Sequence, residues 1–359
     1  MDERYKKLAT VLDTLPNGFP ATESGIELKI LESIFEPDEA ELFCDLKLKF
    51  ETAAQIAKRT GRPLEGLEEK LTQMWQKGEV FGVDLGGVKL FKMVPWVFGI
   101  YEFQLKRLTK EFAKMVEEYM PVFGMQFFTK GPQLMQVIPV EKNLGVSQEA
   151  MPYERVSAII EKGKSFGLNE CICKKEKTLL GEPCDRPLEV CLAIAPVPNI
   201  FDNHPMGTKP ITKEDAYEVL RKSEEAGLVH LTSNVENGHI YICNCCSCCC
   251  GVLRAINALE LSDGVNSSYY AVIDEEKCIG CGVCAKERCQ VNAITEILGA
   301  YEVLRDRCIG CGLCVSTCEV EAIQLVKKQP DEIVKPPANE TDWFKKRSER
   351  RGVDISKYL

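Results

Sequence analysis

Apolar positions in the first hundred residues recur at helical intervals and then switch to alternation. Between Gly25 and Phe35, Ile26, Leu28, Ile30, Leu31 and Ile34 form one helical face. After Phe50, Thr52 is placed to cap a helix in ETAAQIAKRTG, and Gly61 to stop it. A third helix is predicted from Pro63 through PLEGLEEKLTQMWQKGEVF, with Leu64, Leu67, Leu71 and Trp75 on one side and Gly78 at its end. VFGVDLGGVKLFKMV then reads as two short strands around Gly86-Gly87, a β-hairpin. Residues 1–25 read as a short helix and a loop marked by Pro16, Asn17, Gly18 and Pro20.

Further along, residues 99–122 predict one amphipathic helix closed by Pro121, and LMQVIPV predicts a strand. Met120, Met125 and Met135 read as core filler. A helix in ERVSAIIEKGKSFG leads into Cys171, and a second, capped by Thr212, ends at Gly227. SYYAVID, AITEI, AYEVL and AIQLV are four short β-prone runs with an internal repeat of about thirty residues. After Lys328 the chain becomes Pro-rich and charged, which predicts an extended arm anchored by Trp343 and Phe344 on this or another subunit.

Composition narrows the function. The 359 residues suffice for two or three domains. A net charge of −9 and a pI near 5.2 argue against a general nucleic-acid or anionic-membrane surface. The longest apolar neighbourhood, around Met93 to Tyr101, is too short to span a bilayer, and MDERYKKLATVLD has no apolar core of a signal peptide. The clustered cysteines among the 19 therefore read as metal ligands in a cytoplasmic chain of an anaerobe, because exposed low-potential clusters suffer oxidation.

Eight of those cysteines stand in two runs, Cys278-x2-Cys281-x2-Cys284-x4-Cys289 and Cys308-x2-Cys311-x2-Cys314-x3-Cys318. Three thiolates two residues apart can wrap three corners of an iron–sulfur cube, and the fourth leaves toward the other cube. Gly280, Gly282, Gly310 and Gly312 let the loops take positive φ and aim amide N–H groups at sulfides. Zinc, the alternative, usually takes two Cys pairs.

From about Ser268 to Lys328 the chain resembles a bacterial two-[4Fe-4S] ferredoxin. That resemblance implies one cluster on Cys278, Cys281, Cys284 and Cys318, and another on Cys308, Cys311, Cys314 and Cys289. It also implies a doubled βαβ fold, with Ile279, Val283, Ile309 and Leu313 covering the cubes. Two departures stand out. The Pro that usually follows the fourth Cys is Gln290 in one run and Glu319 in the other, and the first run is one residue longer.

Ten more cysteines lie between Cys171 and Cys250: Cys171, Cys173, Cys184, Cys191, Cys243, Cys245, Cys246, Cys248, Cys249 and Cys250. Such density points to one or two further iron–sulfur clusters drawing thiolates from both packets, with a zinc knot or dithiol set as the alternative. Consecutive cysteines on an extended backbone face opposite ways, so spacing does not partition them. His204, His230 and His239 lie in the same module and read first as hydrogen-bonding residues.

Three helices and a hairpin over residues 22–98 resemble a winged helix–turn–helix. From Glu51 to Phe81, however, Lys58, Arg59, Arg62, Lys70 and Lys77 are matched by Glu51, Glu65, Glu68, Glu69 and Glu79. A DNA reader shows a basic stripe there, so a protein-docking role is favoured and nucleic acid is not an expected partner. The whole arrangement resembles a group of winged-helix-containing ferredoxin-type proteins of strict anaerobes.

The expected architecture is α+β and multidomain. It comprises a winged-helix-like domain (1–98), a helical/β connector (99–150), a Cys-rich α/β module (151–266), a (βαβ)2 ferredoxin domain (267–328) and an extended arm (329–359). No dinucleotide, Walker or nucleophile-elbow motif appears, which favours an electron relay to a partner oxidoreductase over a self-contained enzyme. A redox enzyme with an open-site cluster and a redox-sensing winged-helix regulator are the alternatives.

Overall fold

The computed structural model describes residues 2–128, 131–144, 150–261 and 264–359. Helix α1 (Glu3–Thr14) opens with the Asp2 carboxylate accepting the Arg4 N–H. Next come α2 (Ile26–Ile34) and α3 (Pro37–Phe43). The sequence reading had no α3, since seven residues are too few for a helical period to register. In α4 (Ala53–Thr60), Thr52 and Gln55 form a reciprocal capping box and Gly61 ends the helix at φ +76°. Helix α5 (Leu67–Lys77) starts four residues later than expected. Gly66 sits at φ +71°, which cannot continue a helix, so Leu64 is left 55% exposed rather than on the buried face. Strands β1 (Phe81–Asp84) and β2 (Lys89–Lys92) pair antiparallel around Gly86-Gly87.

The expected 99–122 helix is two pieces. After the single turn α6 (Tyr101–Phe103), the Gln104 amide donates to the carbonyls of Gly78 and Ile100 and bends the chain away. Thr109 then caps α7 (Lys110–Phe128), which runs through Pro121 instead of ending there. An interior Pro costs about 3 kcal/mol. Burial of Tyr119, Phe123 and Phe127, the last two stacked at 5.0 Å, offsets it. Met135 is buried, whereas Met125 is 54% exposed and is not core.

The middle of the chain builds one six-stranded antiparallel sheet. Its elements are β3 (Met135–Ile138), α8 (Val156–Lys162), β4 (Ser165–Glu170), α9 (Ile172–Leu180), β5 (Glu189–Ala195), β6 (Lys209–Ile211), α10 (Lys213–Glu225), β7 (Val229–Ser233), β8 (Tyr241–Cys245) and α11 (Gly251–Leu259). The strand order is β3-β7-β8-β5-β4-β6.

Beyond it, β9 (Tyr269–Ile273) pairs antiparallel with β12 (Ile323–Lys327), and β10 (Ile294–Ile297) with β11 (Ala300–Val303). Each half runs strand, cysteine loop with a short helical turn, strand, and the halves join through the tight turn at Leu298 and Gly299, both at positive φ.

The tail is also different from the extended arm expected. Asn339 caps a helix, α12 (Glu340–Arg351), whose Trp343 and Phe344 bury in the same core as α1, α2 and α7. Arg347, 1% exposed, donates to the carbonyls of Pro16, Phe127 and Pro132. Among the described residues, no helix is long and apolar enough to cross a membrane.

Candidate metal centres

The two terminal cysteine runs lie on loops ahead of β10 and β12. Cys278, Cys281, Cys284, Cys314 and Cys318 line one open-sided cavity together with Ile273, Val283, Tyr301 and Ile323. Cys308 and Cys311 lie with Cys289 against a second apolar core containing Val291, Ile309 and Leu313. Cys308 and Cys314 also reach the core that holds Cys278, Cys284 and Cys318, so the two sets adjoin. Ile309 and Leu313 are buried, whereas Ile279 is 68% exposed at the cavity rim.

Glycine is required at two of these turns. At φ +69° a Cβ on Gly280 would meet the Gly299 carbonyl at 2.3 Å; at φ +63° one on Gly310 would meet the Tyr269 carbonyl at 2.2 Å. Backbone amides reach the sulfurs, as expected of a thiolate cradle. Ala293 N–H points at Cys289 Sγ at 3.1 Å, and Ala322 N–H at Cys318 Sγ at 3.2 Å. These two bonds are equivalent although the runs differ in length. The extra residue is absorbed by a π-type turn, with Cys289 N–H on the Cys284 carbonyl, where the other run closes a 3₁₀ turn from Cys318 to Val315. Burial pushes the Cys284, Cys308 and Cys314 thiols up and Cys311 up to about 12. Loading a metal here therefore displaces protons.

Residues 271–335 match the family model of the 4Fe-4S dicluster domain. No curated protein matches the chain. The cavity, glycine turns and amide–sulfur contacts of the dicluster domain fit the group that this family implies. The chain has iron–sulfur, metal-binding character at its C-terminal end.

In the central module four of the ten thiols form one tight set, and the other six lie around it. Cys191 on β5 and Cys243 and Cys245 on β8 belong to adjacent strands, with Leu192 opposite Ile242 in register. Cys243 and Cys245, two apart on a strand, face the same way. Cys171 stands at the N-cap of α9 with Cys173 in its first turn, and Cys250 at the N-cap of α11. The backbone amide of Lys174 favours the Cys171 thiolate, and those of Val252 and Leu253 favour the Cys250 thiolate. Two helix N-termini thus present positive dipole ends to the thiols, with Cys171 and Cys173 packed beside Cys184, Cys246 and Cys249, and Cys243, Cys245 and Cys250 beside the terminal runs. Cys171 interacts with Cys173, and separately Cys191 with Cys243, Cys243 with Cys245 and Cys245 with Cys250. The hydrogen bond from Cys173 holds Cys171 down at about 7, while Cys173, Cys243, Cys245 and Cys250 are pushed up by neighbouring thiols and burial.

Cys184, Cys246, Cys248 and Cys249 form the tight set, all four sulfurs within 4.8 Å of one another. Consecutive cysteines can converge here because 246–250 is a turn, closed by Cys250 N–H on the Cys246 carbonyl at 3.0 Å. Hydrogen bonds from Cys249, Cys248 and Cys184, with the charge of Lys174, hold the Cys246 thiol down at about 4.

None of the three histidines joins either set. His230 Nδ1 meets Asn244 Oδ1, His239 Nδ1 meets Thr232 Oγ1 at 3.3 Å, and His204 lies edge-on to Trp75.

Gln290, seen in the sequence only as a departure from pattern, and Arg288, which the sequence did not single out, hold the modules together. The buried Gln290, which takes the place of the usual Pro, accepts at Oε1 from Ser247 N (3.0 Å), Ser247 Oγ (3.1 Å) and Arg186 Nη1 (3.2 Å). Arg288 donates to the carbonyls of Glu224 and Glu225 at the end of α10. Only the absence of Pro after Cys289 could have flagged this contact.

Proposed function

We propose that this chain is an electron-transfer protein or oxidoreductase subunit, relaying electrons through two dicluster-domain [4Fe-4S] centres and at least one further centre in the Cys171–Cys250 module. The observation that carries this reading is one shared apolar core. Cys243, Cys245 and Cys250 pack in the same cluster of buried residues as Cys289, Cys308 and Cys311. When bound, clusters of this kind supply one-electron transfer. The protein's part is to hold the thiols close, to shield them with Val229, Leu231, Leu253 and Ile309, and to donate amide hydrogen bonds that set potential.

On this reading Cys278, Cys281, Cys284 and Cys318 hold one centre and Cys308, Cys311, Cys314 and Cys289 the other. The helices and hairpin of residues 1–98 serve as a winged-helix-like docking platform for the redox partner, in the cytoplasm of an anaerobe. The balanced charge from Glu51 to Phe81 supports docking over DNA contact, and the hairpin tip presents Leu85 (43% exposed) and Val88 (53% exposed). Reductive titration of anaerobically purified protein tests the relay. The dicluster domain accounts for about two electrons per chain, so three or more supports it, and two or fewer sinks the central centre.

A further inference from the structure

The tight thiol set of the central module stands apart by its size, and size distinguishes one ion from a cluster. Around a single ion with metal–sulfur bonds of about 2.3 Å, four tetrahedral sulfurs stand about 3.8 Å apart. In a cubane the thiolates lie outside a box of irons and sulfides and stand wider. Cys184 Sγ lies 3.8 Å from Cys246 Sγ and 3.5 Å from Cys248 Sγ. Cys248 Sγ lies 3.2 Å from Cys246 Sγ and 3.6 Å from Cys249 Sγ. The eight thiols of the dicluster domain provide an internal comparison. Among the described residues, no three of them come within 4.8 Å of one another, nor do any three of the six remaining central thiols.

Charge shows that the same place suits an anionic metal–thiolate centre, while the sulfur spacing alone sets its size. Four thiolates around a divalent ion leave a net charge of −2. Arg186 Nη1 lies 4.0 Å from Cys248 Sγ. Lys174, 2% exposed, donates to the Pro187 carbonyl and, among the described residues, has no carboxylate partner. Its charge acts on Cys171 and Cys246. A buried ammonium without a carboxylate needs a nearby anion, and the thiols are the anions at hand.

We infer that Cys184, Cys246, Cys248 and Cys249 form a mononuclear tetrathiolate site for one thiophilic divalent ion, zinc or iron, and hold no sulfide-bridged cluster. This deepens the proposed function by leaving the other six thiols as the place in the module for a cluster. Gln290 ties the site to the dicluster domain through Ser247 and Arg186. The site is therefore a pin between modules if it holds zinc, and an additional one-electron station if it holds iron.

The test compares wild-type full-length protein, purified without oxygen, with Cys248→Ser and Cys184→Ser, measuring total metals and acid-labile sulfide on each. The variants are expected to lose one metal atom per chain with sulfide unchanged, and the element lost, zinc or iron, identifies the ion. Parallel loss of iron and sulfide would overturn the assignment, as would no loss of metal. If the variants do not fold, the wild type still decides: total metal exceeding sulfide by one atom per chain supports the site, and equality refutes it. Wild-type iron and sulfide far below eight each would sink the relay reading while leaving this excess to be read separately.

Discussion

Replacing Gln290 by Met keeps the side-chain volume and removes the acceptor that joins the central thiol turn to the dicluster domain. Three donors lose their partner: Ser247 N–H, Ser247 O–H and one Arg186 N–H. A neutral hydrogen bond contributes about 1 kcal/mol net. The half-buried Arg186 is partly solvated, so its bond is discounted to a similar value or less. The hydroxyl can rotate to water, which leaves about 2 kcal/mol of lost local stability, or roughly 30-fold in an opening equilibrium. Hydrogen exchange by mass spectrometry on a peptide spanning residues 241–252, under anaerobic conditions, reads that opening directly. Exchange at the Ser247 amide should accelerate roughly 30-fold. Exchange unchanged within about twofold would show that Gln290 is not what fixes the turn, and the link between modules would have to be sought elsewhere.

Other perturbations separate the parts of the account. Gly310→Ala forces a Cβ into the Tyr269 carbonyl and should cut iron and sulfide by about four each, as expected for loss of one cubane; full retention would argue against the cradle. Arg347→Ala removes a buried donor to three carbonyls and should cost about 3 kcal/mol by denaturant midpoint; a change below 1 kcal/mol would show that α12 is not anchored there. Burial, and then the Glu39 charge, raise Glu79 from 4.5 to about 8, despite Lys77 and Arg107 nearby. A carboxyl raised on folding adds stability that is fully present below its unfolded value and is lost as pH rises through the folded one. The wild type should therefore lose stability between about pH 4.5 and pH 8 relative to Glu79→Gln, and an equal difference at pH 6 and pH 9 would contradict this.

Much of the fold was readable where local chemistry decides it. Thr52, Thr212, Gly61 and Gly78 act at the helix ends where their residue types prefer to sit, and Gly86-Gly87 turns the hairpin. Packing overrode that reading at Pro121, whose helix continues because three aromatic rings beyond and before it need burial. Likewise α12, charged along most of its length, reads as a tail until Trp343, Phe344 and Arg347 find partners more than two hundred residues away. At the candidate sites, the terminal runs carry their own spacing. The partition of the ten central cysteines does not, since it depends on which strands pair and on a turn at 246–250 that brings neighbouring thiols to one point. Gln290 was visible as a departure from pattern, yet its partners lie on another module.

The most direct test of the relay is iron and acid-labile sulfide per chain on protein purified without oxygen, with EPR of the dithionite-reduced sample. Two cubanes and a further cluster predict about twelve iron and twelve sulfide, with signals beyond those of a coupled pair. About eight of each, with only coupled dicluster signals, would mean that the central thiols hold no iron–sulfur cluster and that the relay ends at Cys289 and Cys308.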